Sequence, residues 1–195
     1  AFWVPTGKMT ITDNAQVTAS GYYPGINAKG GVEITGGTVK AYSEADVAIY
    51  SWEDLIISNS IVEAVTGDPD YYSIDAWDII RIEYSWFSSN YGAFSIEFNN
   101  SVQIKDGRMS IYGDAVLPGD VTLPKDYVLV LREGESLTIP EGVTLTNYGT
   151  IQLFGGRFIN NGSYADYGKT IDDDFNTVNV IEGNGDFPNN WFVTV

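Results

Sequence analysis

The sequence contains no cysteine and no histidine among its 195 residues. The absence of cysteine excludes disulfide bonds and thiol chemistry. The absence of histidine removes the commonest general base and the commonest transition-metal ligand, and it excludes a Ser-His-Asp triad. The chain therefore lacks the residues that most often serve as the general base in nucleophilic catalysis and as ligands of transition metals.

Basic residues are also few: the chain has 10 Lys and Arg residues and 26 Asp and Glu residues. Its formal net charge is therefore −16. Nucleic acids and anionic membranes attract basic surfaces, so this charge argues against both. It favours cations, neutral sugars or basic proteins as partners. No run of 18 apolar residues occurs, so no membrane-spanning segment is predicted. We expect a monomer that binds no nucleic acid and does not insert into a membrane.

The composition nevertheless predicts a folded chain, because 44% of the residues are apolar and 14% aromatic despite 21 glycines. The sequence opens AFWVPTGKM, without a start methionine or a signal peptide, which we interpret as a mature or trimmed chain. The lack of cysteine, the acidic bias and the many Thr, Gly and Asn residues are typical of secreted or surface-displayed bacterial proteins. We therefore expect a secreted or cell-surface location.

One pattern is written three times between residues 31 and 100. Its apolar positions align in columns with one residue per copy. The columns are Val32, Leu55, Ile80 and Val102; Ile34, Ile57 and Ile82; Val39, Val62 and Phe87; and Ile26, Ile49, Ile74 and Ile96. Members of the first column are 23, 25 and 22 residues apart. This period, with three short strand-like pieces per copy, indicates a solenoid whose turns bury their apolar faces against each other.

Further copies flank this region, at 8 to 30 and at 101 to 120. Their apolar residues that fill the same columns are Met9, Ile11, Val102, Ile104, Met109 and Ile111. Beyond the fifth copy, the sequence separation between matching segments becomes shorter. Residues 121 to 130 match 137 to 146 at an offset of 16, and 145 to 151 match 158 to 164 at an offset of 13. These offsets predict tighter turns with Pro and Gly at strand ends and corners.

Apolar and polar residues alternate within each copy, which is typical of half-buried strands. The sequence therefore predicts an all-β chain that forms a single-stranded, right-handed parallel β-helix of about seven or eight rungs; the handedness follows the general preference of parallel crossovers. We expect one domain, with the β-helix over 1 to 165. Its rungs have 22 to 25 residues to about 115 and are tighter from 116 to 165. Residues 166 to 195 are predicted to form a cap or tail of that domain.

The copies resemble the parallel β-helix modules of bacterial secreted and cell-surface proteins. The resemblance rests on repeats of the kind I-T-G-G-T-V-x-A and L-T-I-P-x-G-V-T-L-T-N-x-G-T-I, here at 34 to 41 and 137 to 151, and it covers about 8 to 165. It implies the fold, and it implies an adhesin-like or carbohydrate-binding role, since such modules are described in these ways. Pectate lyases share the fold, but their motifs are absent here, so that link is one of architecture alone.

Two unusual columns of outward-facing residues are predicted on one set of equivalent strands, those that contain Ile26, Ile49, Ile74 and Ile96. Neighbours within such a column lie about 4.8 Å apart. One column reads Asn27, Tyr50, Asp75 and Glu97, and the other reads Lys29, Trp52, Trp77 and Asn99. The candidate ligand-binding residues are Trp52, Trp77, Tyr50, Asp75 and Glu97. Indole faces that pack on a pyranose ring, beside carboxylates that accept hydroxyl hydrogen bonds, would make a sugar platform.

The sequence favours a purely structural interpretation of Trp52 and Trp77 over the sugar platform, because aromatic ladders that stabilise stacked strands are ordinary in this fold. Several loop aromatics would either extend a binding surface or cover loop corners. They are Tyr22, Tyr23, Tyr71, Tyr72, Trp86 and Tyr91.

Asp75 above Glu97 would be a like-charge contact, which destabilises a sheet unless a cation binds or one pKa rises. Carboxyl groups one rung apart suit the separation of about 5 to 5.5 Å in retaining glycosidases. No third residue reinforces this pair, so we assign no catalytic residue. The sequence predicts a non-catalytic β-helix module, carbohydrate-binding or adhesin-like, with a polysaccharide-cleaving lyase or glycoside hydrolase as the alternative.

Calcium is the one cofactor for which the sequence offers ligands, because it requires six to eight oxygen atoms. The candidate clusters are Asp68 with Asp70, and Asp172 with Asp173 and Asp174. Neither matches an EF-hand loop or the glycine-aspartate repeat of calcium-binding β-rolls. The sequence favours solvated acidic loops for both clusters, so we expect no cofactor, with calcium as the alternative.

Overall fold

A computed structural model describes residues 1–91, 96–105, 108–172, 180–186 and 192–194. All regular structure in these residues is β, as predicted, and none of them lies in a helix. The strands are β1 (Phe2–Val4), β2 (Met9–Ile11), β3 (Gln16–Gly21), β4 (Ile26–Ala28), β5 (Val32–Thr35), β6 (Thr38–Ser43), β7 (Ile49–Ser51), β8 (Leu55–Ser58), β9 (Ile61–Thr66), β10 (Ile74–Ala76), β11 (Ile80–Glu83), β12 (Trp86–Ser89), β13 (Ile96–Asn99), β14 (Ser101–Lys105), β15 (Arg108–Tyr112), β16 (Asp114–Val116), β17 (Val121–Leu123), β18 (Val128–Arg132), β19 (Ser136–Ile139), β20 (Thr144–Asn147), β21 (Thr150–Phe154), β22 (Arg157–Asn160), β23 (Ser163–Asp166), β24 (Lys169–Asp172), β25 (Val180–Glu182) and β26 (Phe192–Thr194).

The chain divides into two compact units. Unit 1 comprises Ala1–Asn99 with Gln103–Asp106, and unit 2 comprises Asn100–Val102 with Gly107–Val195. Strand β14 holds residues of both.

Unit 1 is a parallel β-solenoid built from three sheets. The sheets have the strand orders β1-β4-β7-β10, β2-β5-β8-β11-β13 and β3-β6-β9-β12. Each of the first four turns supplies one strand to each sheet and then returns to the first, so consecutive strands of the sequence lie in different sheets. This arrangement confirms the predicted β-helix.

The predicted inward columns of unit 1 are confirmed across three turns. Val32 pairs with Leu55 and Leu55 with Ile80, and Ile57 lies between Ile34 and Ile82. All six side chains are buried. Burial of such a side chain contributes about 1.5 to 3 kcal/mol, so the stacked columns supply the main stabilisation of the unit.

The predicted continuation of these columns into the fourth copy is wrong. Ile96 was expected beside Ile74 and Glu97 beside Asp75, but β13 pairs with β11, so that Ile96 lies beside Ile80 and Glu97 beside Arg81. Ile96 is thus the partner of Ile80 on the next turn, where the predicted column had Val102.

The reason for this change of register is the length of the chain after β12. Thirteen residues, 67 to 79, separate β9 from β11 and include β10. Only six residues, 90 to 95, separate β12 from β13, which is too few for another strand and its two corners. The register also joins opposite charges, because Arg81 Nε donates to Glu97 Oε2 at 3.2 Å.

Unit 2 is also a parallel β-solenoid with three sheets. Their strand orders are β15-β18-β21-β24, β16-β19-β22-β25-β26 and β17-β20-β23. Pairing extends past residue 165, because β24 pairs with β21 and β25 with β22. Together the described residues form about seven turns.

The short offsets predicted for unit 2 do not describe its register. Val121 pairs with Leu145, and Leu145 with Tyr164, at spacings of 24 and 19 residues. Leu137 pairs with Phe158 at a spacing of 21. The predicted matches of Val121 with Leu137 and of Leu145 with Phe158 were therefore wrong, because they aligned strands that belong to different sheets.

Candidate functional site

The two tryptophans predicted to stack do so in unit 1. The Trp52 amide donates to the carbonyl of Ala28 at 3.0 Å, and the Trp77 amide donates to that of Ser51 at 3.2 Å, which places both rings on successive turns. Their ring centroids lie 5.1 Å apart with an interplanar angle of 36°. The buried Ser51 hydroxyl donates to the carbonyl of Asp54 at 2.8 Å and so closes the corner that presents Trp52.

The two rings differ in exposure. Trp77 is 67% exposed, whereas Trp52 is half-buried. The Trp52 indole N–H donates to Asn27 Oδ1 at 3.2 Å, and Lys29 Nζ lies 5.4 Å from the centre of the ring. A hydrogen bond, a cation–π contact and the stack on Trp77 therefore hold Trp52 in one orientation.

Tyr50 and Asp75 lie beside this stack, as predicted. Asn27, Tyr50 and Asp75 are partners on successive strands of the β1-β4-β7-β10 sheet. The Tyr50 ring meets Trp52 edge to face, with centroids 5.8 Å apart. Burial raises the pKa of Tyr50, and the negative charges of Asp75 and Asp46 add to this effect against a hydrogen bond from Trp77.

The Asp75 carboxyl group is also affected by its surroundings. Burial raises its pKa, while the amide of Ala76, which donates to Asp75 Oδ1 at 2.9 Å, opposes the rise. A carboxylate in this position remains charged at neutral pH only at some cost in stability. It is a polar group set among aromatic rings.

A cavity of about 580 Å³ opens next to these residues. Its aromatic lining consists of Phe2, Trp3, Tyr23, Tyr50, Trp52 and Tyr71, and its charged side chains are Asp46 and Asp75. Trp77 does not line the cavity but extends the aromatic surface beyond Trp52. This volume and this mixture of apolar walls with a few polar groups are typical of ligand sites. We call it the aromatic cavity.

Sequence reasoning missed Trp3 and Asp46. Strand β1 places Trp3 beside Asn27, one turn before the predicted column. The signal was present in the sequence, because Phe2 precedes Ile26 by 24 residues, within the spread of the repeat. Asp46 had no such signal, since it reaches the cavity from a loop.

Glu97 is not part of this site. It pairs with Arg81 on the β2-β5-β8-β11-β13 sheet instead of meeting Asp75. The predicted like-charge pair is therefore not formed, and the argument from carboxyl separation for a retaining hydrolase loses its basis. The carboxylates that the structure brings to the aromatic cavity are Asp46 and Asp75.

The aromatic residues that were predicted to lie in loops differ in whether they reach the aromatic cavity. Tyr23 and Tyr71 line the aromatic cavity, and Tyr22 packs edge to face on Tyr23 with centroids 5.3 Å apart. Trp86 instead is buried with 5% exposure, so it does not contribute to a binding surface. Tyr72 and Tyr91 are exposed but do not line the cavity.

The structure describes one of the two predicted calcium clusters in full, that of Asp68 and Asp70. Asp68 Oδ1 accepts a hydrogen bond from the amide of Asp70 at 2.9 Å, which is a local turn contact. Asp173 and Asp174 lie outside the described residues. Within those residues no group of three or more Asp or Glu side chains converges on one point.

No helix in the described part of the chain is long and apolar enough to cross a membrane. Comparison with known proteins gives no assignment: no family model, no curated protein and no solved structure matches this chain.

Proposed function

We propose that this chain is a non-catalytic carbohydrate-binding module of a secreted or cell-surface protein, with an adhesin-like role. The observation that carries the proposal is the coincidence of the aromatic cavity with the stacked pair of Trp52 and Trp77 on the same face of unit 1. Acidic composition and the lack of cysteine support the proposed location.

Sugars suit this surface for two reasons. The C–H faces of a pyranose pack on indole and phenol rings, which supply a large apolar area. The hydroxyl groups of the sugar find hydrogen-bond partners at Asp46, Asp75 and the Tyr50 hydroxyl, all of which line the same cavity.

The site is also preorganised. Trp52 is fixed by Asn27 and Lys29 before any ligand arrives, and Tyr50 packs against it. A ring that is already ordered loses little side-chain entropy on binding, so more of the contact energy appears as affinity.

A glycan array followed by calorimetry on the hits tests the proposal. Trp52→Ala and Trp77→Ala should each lower the affinity for a bound oligosaccharide by about 1 to 3 kcal/mol, the usual range for loss of an aromatic contact. Tyr167→Ala is the matched control, because Tyr167 is 70% exposed and stacked on Tyr148 in unit 2.

Two results would contradict the proposal. One is equal affinity of the parent and both Trp variants, or no glycan binding at all. The other is release of reducing ends from the bound oligosaccharide, which would show an enzyme instead of a binding module.

A further inference from the structure

The aromatic cavity contains two carboxylates that have no cationic partner among the described residues. Asp46 Oδ1 accepts from the amide of Val47 at 2.7 Å, and Asp75 Oδ1 accepts from the amide of Ala76 at 2.9 Å. The ion pairs in the described part of the chain join Lys8 to Glu33, Lys40 to Glu63, and Arg81 to Glu83 and Glu97. The second oxygen of each cavity carboxylate takes part in no hydrogen bond or ion pair with a described residue.

Two positive groups of the protein lie at this cavity, because Ala1 is one of its lining residues and Lys29 contacts the lining residue Trp52. Lys29 Nζ is over the ring of Trp52, and the amino group of Ala1 donates to the carbonyl of Ser20 at 3.0 Å. Neither forms an ion pair with Asp46 or Asp75. The negative charge of the two carboxylates therefore stays uncompensated by protein contacts in the described residues.

The rings around the carboxylates also favour a cation. A positive group within about 6 Å of an indole or phenol centre is attracted by the ring quadrupole. The contact of Lys29 with Trp52 shows that this surface accommodates an ammonium group. Trp3 and Tyr50, which also line the cavity, offer further rings.

The size of the site argues for a sugar that carries the cation, instead of a small ammonium ion alone. A cavity of about 580 Å³ lies in the range that holds drug-sized ligands, about 300 to 1,000 Å³. The exposed ring of Trp77, next to Trp52, provides additional surface for a neighbouring sugar unit.

We propose that the glycan of this site carries free, positively charged amino groups, as in an oligomer of 2-amino-2-deoxyglucose, and that Asp46 and Asp75 bind the ammonium group. This inference rests on the proposed carbohydrate-binding function. It specifies the chemical class of the sugar.

Calorimetry with three hexasaccharides of equal length tests it: β-1,4-linked glucosamine, the same oligomer fully N-acetylated, and the β-1,4-linked glucose oligomer. Measurements at mildly acidic pH keep the free amines protonated. The glucosamine oligomer should bind at least about tenfold more tightly than the other two, since a hydrogen bond to a charged group contributes about 1.5 to 3 kcal/mol. Added salt should reduce this preference.

Asp46→Asn and Asp75→Asn should each reduce the preference for the amine severalfold, while Asp126→Asn, at an exposed position of unit 2, should leave it unchanged. Thermal melting of each variant checks that it is folded. The comparison of the three oligomers on the parent protein stands independently of the variants.

Each alternative result has a defined meaning. Equal affinity for the amine and the N-acetylated oligomer would overturn the inference and leave the carbohydrate-binding proposal intact. Binding of none of the oligomers, together with an empty glycan array, would overturn the proposed function itself. Choline that binds as tightly as the glucosamine oligomer would overturn the inference in favour of a general cation site.

Discussion

Unit 1 and unit 2 each carry a pair of aromatic rings in contact on successive turns, with the same centroid distance of 5.1 Å. In unit 1, Trp52 and Trp77 are tilted by 36°, and Trp52 lines the aromatic cavity. In unit 2, Tyr148 and Tyr167 stack at 15°. A cavity of about 290 Å³ in unit 2 is lined mostly by glycine and by Thr, Ser, Asn and Asp residues, and not by either tyrosine.

This comparison shows that stacking alone does not identify a site. Aromatic side chains at equivalent corners of a parallel solenoid come into contact because the turns repeat. What separates unit 1 is the combination of rings with a cavity, two carboxylates and contacts that fix Trp52.

The inward columns are common to both units and should dominate stability. Ile57→Asp places a charge without a partner at a fully buried position of unit 1 between Ile34 and Ile82. We expect a loss of more than about 4 kcal/mol, which would unfold the unit. Circular dichroism during heating measures this effect, and a variant that melts like the parent would show that the register is wrong.

Buried amide groups should matter more in unit 2 than in unit 1. Asn147 is fully buried and donates to Asp166 Oδ1 at 2.8 Å and to the Tyr164 hydroxyl at 3.1 Å. Asn147→Ala leaves these groups without that donor, at a cost of about 1 to 3 kcal/mol each.

The measurement is the free energy of unfolding in denaturant. Asn27→Ala, which removes one hydrogen bond to the half-buried Trp52, should destabilise the chain by a smaller amount, about 0.5 to 1.5 kcal/mol. The reverse order of the two variants would contradict the comparison.

Asn27 should instead affect binding, because it positions Trp52. Asn27→Ala should lower the affinity for a bound oligosaccharide by about 0.5 to 1 kcal/mol through loss of preorganisation, with no change in the chemistry of the ring. Asn27→Gln, which keeps the acceptor, should recover part of this loss. Asn147→Ala should leave the affinity unchanged when measured below its melting temperature.

Asp75 should have opposite effects on folding and on binding. Its pKa is raised by burial in the folded chain, so above the raised value the folded state is destabilised relative to the unfolded state, whose pKa is about 3.8. Asp75→Asn should therefore raise the melting temperature at pH 7. The gain should shrink as the pH falls through the raised folded pKa and should be absent below the unfolded pKa, where both states are protonated.

A melting series against pH measures this effect, with Asp126→Asn as the control. A lower melting temperature of Asp75→Asn at pH 7 would contradict the raised pKa. Retention of a destabilising carboxylate in a cavity is expected of a ligand-binding group.

Much of unit 1 could be predicted from the sequence because its corners keep nearly constant lengths. The columns of Val32, Leu55 and Ile80 and of Asn27, Tyr50 and Asp75 follow from alternation and spacing alone. The stack of Trp52 and Trp77 follows from the same register.

The register of Glu97, the strand pairing in unit 2 and the aromatic cavity could not be predicted from the repeats of the sequence. The register of Glu97 depends on the short segment after β12. In unit 2, strands of different sheets share one pattern, so Leu145 resembles Phe158 although its partner is Tyr164. The aromatic cavity requires loop residues, and Asp46 is oriented by a hydrogen bond from the amide of Val47.

The most direct test of the central claim is the response of the individual indole groups to a bound oligosaccharide. The chain has five tryptophans, whose indole N–H signals separate in a two-dimensional ¹H–¹⁵N spectrum. The account predicts that the signals of Trp3, Trp52 and Trp77 shift on titration, while that of the buried Trp86 does not. Unchanged signals of Trp3 and Trp52 with a saturating ligand would show that the glycan binds elsewhere and would contradict the account.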